Sequence, residues 1–66
     1  MEVTINGEPH QAASPMSLAD AVALLTPAET GVAAAVNGDV VRRSAWDTTR
    51  LADGDQVEVV TAVQGG

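Results

Sequence analysis

The group in this 66-residue sequence whose setting most invites chemistry is the α-carboxylate at its end, on Gly66, preceded by Gly65. Two residues without side chains make a thin, adaptable peptide that can enter a narrow tunnel in another protein. A carboxylate is a poor electrophile, because its charge is delocalised and its leaving group would be oxide. A partner holding ATP and Mg²⁺ would first have to convert it to a mixed anhydride such as an acyl-adenylate. Attack by a sulfur nucleophile and reductive cleavage would then leave a thiocarboxylate on Gly66, tethered and deliverable to one acceptor. By itself a terminal Gly-Gly is equally at home on a frayed chain end.

The rest of the chain offers little reactive chemistry. His10 is the one histidine, Ser17 has no base near it in sequence, and the carboxylates are scattered over turns, so no catalytic constellation is expected. Without a second ligand or carboxylate at a useful spacing, His10 reads as a surface residue on an edge strand. The absence of cysteine excludes disulfides, thiolate metal sites and cysteine nucleophiles together, and suits a reducing compartment. These observations predict a protein that is not an enzyme and binds no metal or cofactor of its own.

Nine acidic residues against three basic ones give a net charge of −6, which repels phosphate backbones and anionic lipid. Nucleic acid and membrane surfaces are therefore poor partners, and a protein with a basic docking face is a good one. The three cations are Arg42, Arg43 and Arg50; there is no lysine to accept self-conjugation. Glu2 stands where a signal peptide would carry base, and no apolar run exceeds the five residues of Val32 to Val36, too short to cross a bilayer. The expected location is the cytoplasm.

The elements that must carry the reactive end are readable from pattern. Val3 and Ile5 alternate with Glu2 and Thr4 as in a strand, and Asn6-Gly7 suits a type I′ turn that folds the chain back into Pro9 to Ala13. Pro9 lacks an amide donor, which places the returning strand at a sheet edge. Ser17-Leu18-Ala19-Asp20 reads as a capping box, followed by a helical stripe of Leu18, Ala21, Val22 and Leu25 that Pro27 ends. Val32 to Val36, between Gly31 and Asn37-Gly38, reads as a strand buried on both faces, turning into Val40 and Val41. Arg43 to Leu51 is irregular, a loop with one helical turn. Asp53-Gly54-Asp55 then launches a last strand, Gln56 to Thr61. The whole is an α+β domain over residues 1–61, a mixed sheet of four to five strands packed on one short helix, with a flexible tail at 62–66.

Taken in order, these pieces resemble the ThiS family of sulfur carriers. The likeness runs through the strand ending in Asn6-Gly7-Glu8, the helix start Ser17-Leu18-Ala19-Asp20 and the strand end Val36-Asn37-Gly38. It continues through Leu51-Ala52-Asp53-Gly54-Asp55, the strand Val57-Glu58-Val59-Val60 and the terminal Gly65-Gly66. The resemblance implies the ubiquitin-like β-grasp fold, with the first and last strands parallel and adjacent at the centre. It also implies that Gly66 carries first the adenylate made by a ThiF-type enzyme and then the sulfur, supplied through a sulfur donor protein. Gly65 would give the tail its narrow passage, and thiazole synthase, ThiG, would take the sulfur in thiamin biosynthesis.

Three other functions suit parts of the same pattern: a MoaD-like carrier serving molybdopterin, a ubiquitin-like modifier, and a plain β-grasp binding module such as a TGS-type domain. Beyond the tail glycines, three apolar residues are candidates for partner contact. Val60 should face away from Val57 and Val59, Val63 lies in the tail, and Trp46, the one aromatic residue, suits either a cover over the small core or an anchor for a partner.

Overall fold

A computed structural model of the chain describes residues 1–12, 15–25 and 31–61. Strand β1, Glu2–Ile5, turns through Asn6-Gly7 into β2, Glu8–Gln11; helix α1, Leu18–Leu25, follows. Strand β3, Val32–Val36, turns through Asn37-Gly38 into β4, Asp39–Val41. A 3₁₀ turn over Arg43–Ala45 leads on to β5, Gln56–Thr61. The five strands form one sheet in the order β2-β1-β5-β3-β4. Strands β1 and β5 pair in parallel with Thr4 opposite Gln56 and Ile5 opposite Val57; the other neighbours pair antiparallel. This is the mixed sheet of a small ubiquitin-like β-grasp.

Both Asn-Gly pairs make the turn their residues call for, with φ of 52° and 84° at Asn6 and Gly7 and of 51° and 88° at Asn37 and Gly38. Positive φ at both central positions gives a turn whose twist matches that of the flanking strands. The first turn sets Glu8 directly opposite Ile5, so β2 begins one residue before Pro9 and ends at Gln11. Pro9 does lie on an edge strand.

The core lies between α1 and one face of the sheet. Val3, Ile5, Leu18, Ala21, Val22, Ala34, Trp46, Leu51, Val57 and Val59 form one buried cluster. Ile5, Leu18, Val3 and Val57 are the largest fully buried side chains, each contributing about 1.5–3 kcal/mol by leaving water. Two expectations of burial are corrected here. Leu25 continues the helical stripe but is 43% exposed, because it lies one turn beyond the buried cluster. Strand β3 is not buried on both faces: Ala34 is buried, whereas Ala33 is exposed and Ala35 half-buried. Among the described residues one α-helix covers one face of the sheet, so alternate residues of β3 look out on the other.

The start of α1 is held from two directions. Ser17 Oγ accepts the Asp20 amide at 3.1 Å while Asp20 Oδ2 accepts the Ser17 amide at 3.0 Å, the reciprocal bonds of a capping box. The Leu18 and Ala19 amides, which no helical carbonyl can reach, donate to the carbonyls of Thr49 and Trp46 at 2.8 and 3.2 Å. The Leu51 amide donates back to the Met16 carbonyl at 2.9 Å. The irregular stretch after the 3₁₀ turn therefore serves as the seat of the helix. The expected end of the helix at Pro27, and Ala13 at the end of the hairpin, lie outside the described residues.

Candidate functional site

Strand β5 directly precedes residues 62–66, and side chains from two turns anchor it. Its start is tied on both sides. Asp53 Oδ1 accepts the Glu2 amide, at 2.6 Å, and the Gly54 amide donates to the Glu2 carbonyl at 2.7 Å. Asp55 Oδ2 accepts the Ala52 amide at 2.7 Å, and its Oδ1 accepts from Asn37 Nδ2 at 3.0 Å. Gly54, with φ of 89°, makes this turn possible.

Two asparagines extend the anchoring along β5. Asn37 exchanges a pair of bonds with Gln56: its amide donates to the Gln56 carbonyl at 2.7 Å, and its side-chain Oδ1 accepts the Gln56 amide at 2.9 Å. Asn6 donates its own amide to Val57 O at 2.9 Å and then uses its side chain as a further piece of strand. Its Oδ1 accepts the Val59 amide at 2.8 Å and its Nδ2 donates to the Val59 carbonyl at 3.1 Å. Sequence reasoning assigned both residues to turns and missed this second use. The signal that could have found it is their type, since a carboxamide offers a donor and an acceptor together where glycine offers neither.

The outer face of the sheet, opposite α1, carries an apolar strip. Pairing sets Val60 beside Ala33, Glu58 beside Ala35 and Val40 beside Ala35, and the same residues with Gly38 line a shallow depression. Val60 is 63% exposed and Val40 80% exposed. Val60 thus points away from Val57 and Val59 as its place in the strand predicts. Glu58, and beyond it Glu2, bring negative charge to this face, while the strands themselves hold no lysine or arginine.

Trp46 is elsewhere. Its ring is 5% exposed, its Nε1 donates to the Val41 carbonyl at 2.9 Å, and the Arg43 guanidinium sits over it at 5.4 Å from the ring centre. A ring so enclosed closes the core and has no face to offer a partner, which corrects its candidacy as an anchor. Val63, Gly65 and Gly66 lie outside the described residues. His10 is half-buried on the edge strand opposite Val3, and among the described residues no group of histidine and carboxylates could hold a metal ion.

A sequence model of the ThiS family matches residues 3–66, almost the whole chain. The chain belongs to the ThiS family of small sulfur carriers. Two solved structures of thiamine biosynthesis proteins of Geobacter metallireducens resemble this ThiS-family chain over its full length. The crystal structure, of ThiS, is 32% identical with a TM-score of 0.78, and the match covers 100% of both chains. The solution structure is 33% identical with a TM-score of 0.80, over 100% of this chain and 88% of the other. No curated relative matches the sequence. Among the described residues of this family member, no helix is long and apolar enough to cross a membrane.

Proposed function

We propose that this ThiS-family chain carries sulfur for thiamin biosynthesis as a thiocarboxylate on Gly66. The observation that supports it most directly is a combination: family likeness that runs through residue 66, and a central strand that leads into Ala62-Val63-Gln64-Gly65-Gly66. A carboxylate oxygen of Gly66 attacks the α-phosphorus of ATP held with Mg²⁺ by a ThiF-type enzyme, and pyrophosphate leaves. A persulfide on a sulfur donor protein then attacks the acyl carbon and AMP leaves. Two electrons from a thiol cleave the resulting acyl disulfide, and the thiocarboxylate is free to be taken by the thiazole synthase ThiG. The carrier itself supplies no acid, base or metal to these steps. ATP and Mg²⁺ belong to the partner.

What the carrier contributes is presentation. Val60, Val40 and the small alanines between them form an apolar centre, and Glu58 adds charge that suits a basic enzyme surface. Gly65 keeps the end of the tail narrow. The test is adenylation itself, followed as ATP–pyrophosphate exchange with a ThiF-type enzyme. One alanine appended after Gly66 should abolish exchange, and Gly66→Ala should slow it by about 10²-fold through misplacement of the carboxylate. Both changes should leave the thermal unfolding midpoint unchanged. Undiminished exchange by the extended chain would exclude the terminal carboxylate as the reacting group.

A further inference from the structure

The edge of β5 nearest the tail has one open place. Residues of a strand point their amide and carbonyl alternately to the two neighbours, and in β5 the even positions face β3: Gln56 bonds Asn37 there. The odd positions face β1. The Asp55 carbonyl accepts the Thr4 amide at 3.0 Å, the Val57 carbonyl accepts the Asn6 amide, and the Val59 amide and carbonyl are taken by the Asn6 side chain. The next odd residue is Thr61. It is exposed, it pairs with Val32 on the β3 side only, and the turn at Asn6-Gly7 has by then carried β1 away. Among the described residues nothing meets its amide or carbonyl on the β1 side. Asn6 thus closes the intramolecular ladder one pair short of the strand's end.

We infer that the Thr61 edge is where an extended segment of the adenylating enzyme pairs with the carrier, as an added strand alongside β5, and that this pairing sets how deeply the tail enters the enzyme. The inference rests on the carrier reading above. An unpaired strand edge is a template for another backbone, and addition of a strand gives affinity through main-chain bonds independent of side-chain identity. The occupant is specified by continuity: residues 62–66 follow Thr61 directly, so a protein that holds Gly66 lies within five residues of it. Five residues of extended chain reach at most about 17 Å beyond Thr61. A slip that keeps the bonding parity moves the carboxylate by two residues, about 6.6 Å, which is far outside reacting distance. A fixed bond pair at Thr61 excludes such slips, and Asn6 leaves the partner one place to begin.

The decisive reagent is the 66-residue carrier made by chemical synthesis with an ester in place of the Val60–Thr61 amide. It lacks the Thr61 N–H, and its ester carbonyl at Val60 is a weaker acceptor toward β3. The KM for the carrier in ATP–pyrophosphate exchange should rise about threefold to tenfold, the effect of one hydrogen bond, in a protein that stays folded with its unfolding midpoint lowered only by the weakened Val60 acceptor. Thr61→Pro, which removes the same donor and leaves the bonds to β3 untouched, should raise KM at least as much. An ester at the Val59–Val60 amide, which faces β3, should lower the unfolding midpoint and leave KM unchanged in the folded protein. Equal KM for the Thr61 ester and the unmodified carrier would overturn the pairing. Failure of the unmodified carrier to be adenylated would overturn the carrier reading and the pairing with it.

Discussion

At the scale of single residues the most informative pair is Asn6 and Asn37. Each adopts a left-handed backbone at a hairpin turn, and each also bonds β5 with its side chain. Asparagine tolerates the first role, and its carboxamide is needed for the second. Asn6→Asp keeps the turn and the acceptor for the Val59 amide but sets a carboxylate oxygen against the Val59 carbonyl, in a partly buried position. It should destabilise the fold by about 1–3 kcal/mol, measured as a shift in the urea midpoint at constant m-value. Asn37→Asp, whose side chain is exposed and faces the Asp55 carboxylate, should cost less. Equal losses at both sites would argue against the strand-like role given to Asn6. Both turns were legible in the sequence because Asn-Gly has a strong backbone preference. Their side-chain bonds were not, because the partners lie 53 and 19 residues away.

Among the elements, α1 shows how local and distant interactions share one job. The capping box was readable because its residues are three apart, and it forms with both bonds in place. Ser17→Ala should therefore cost about 1 kcal/mol in chemical denaturation, and an unchanged midpoint would mean that the carbonyls of Trp46 and Thr49 suffice to hold the helix start. That second support was invisible to pattern reading: the stretch Arg43 to Leu51 has no periodicity, and its value lies in carbonyls that any residue could supply. Period likewise revealed which faces of β3 and α1 are apolar without saying how far the other layer extends. One eight-residue helix covers one face of the sheet, which leaves Ala33, Ala35 and Leu25 more open than their neighbours in the pattern. The central parallel pairing of β1 with β5 was implied by family resemblance; alternation within each strand is compatible with many strand orders.

The whole molecule is a small acidic body with an apolar strip on the face away from its helix, at the strand that precedes residues 62–66. A net charge of −6 on so small a chain favours encounter with a basic partner and opposes self-association. Raising ionic strength from about 0.05 to about 0.5 M should slow association with a ThiF-type enzyme by about tenfold or more, read by stopped-flow binding, while dissociation changes little. A salt-independent association rate would leave the apolar strip as the sole basis of docking. The proposed chemistry can be argued from sequence because it rests on a carboxylate and two glycines, Gly65 and Gly66. The platform cannot, because Val60 and Val40 become neighbours only when β3 brings β4 and β5 together.

The central claim, sulfur carried on Gly66, is tested most directly by mass spectrometry of protein taken from cells that make the sulfuration machinery, after reaction with a thiol-alkylating reagent. With no cysteine in the chain, a thiocarboxylate is the thiol-like group such a reagent would meet. Alkylation is needed because exchange of oxygen for sulfur adds nearly the same mass as oxidation of Met1, Met16 or Trp46. The account predicts a single adduct that fragmentation maps to Gly66. Unmodified protein, with the activating enzyme and sulfur donor demonstrably present and active, would contradict it.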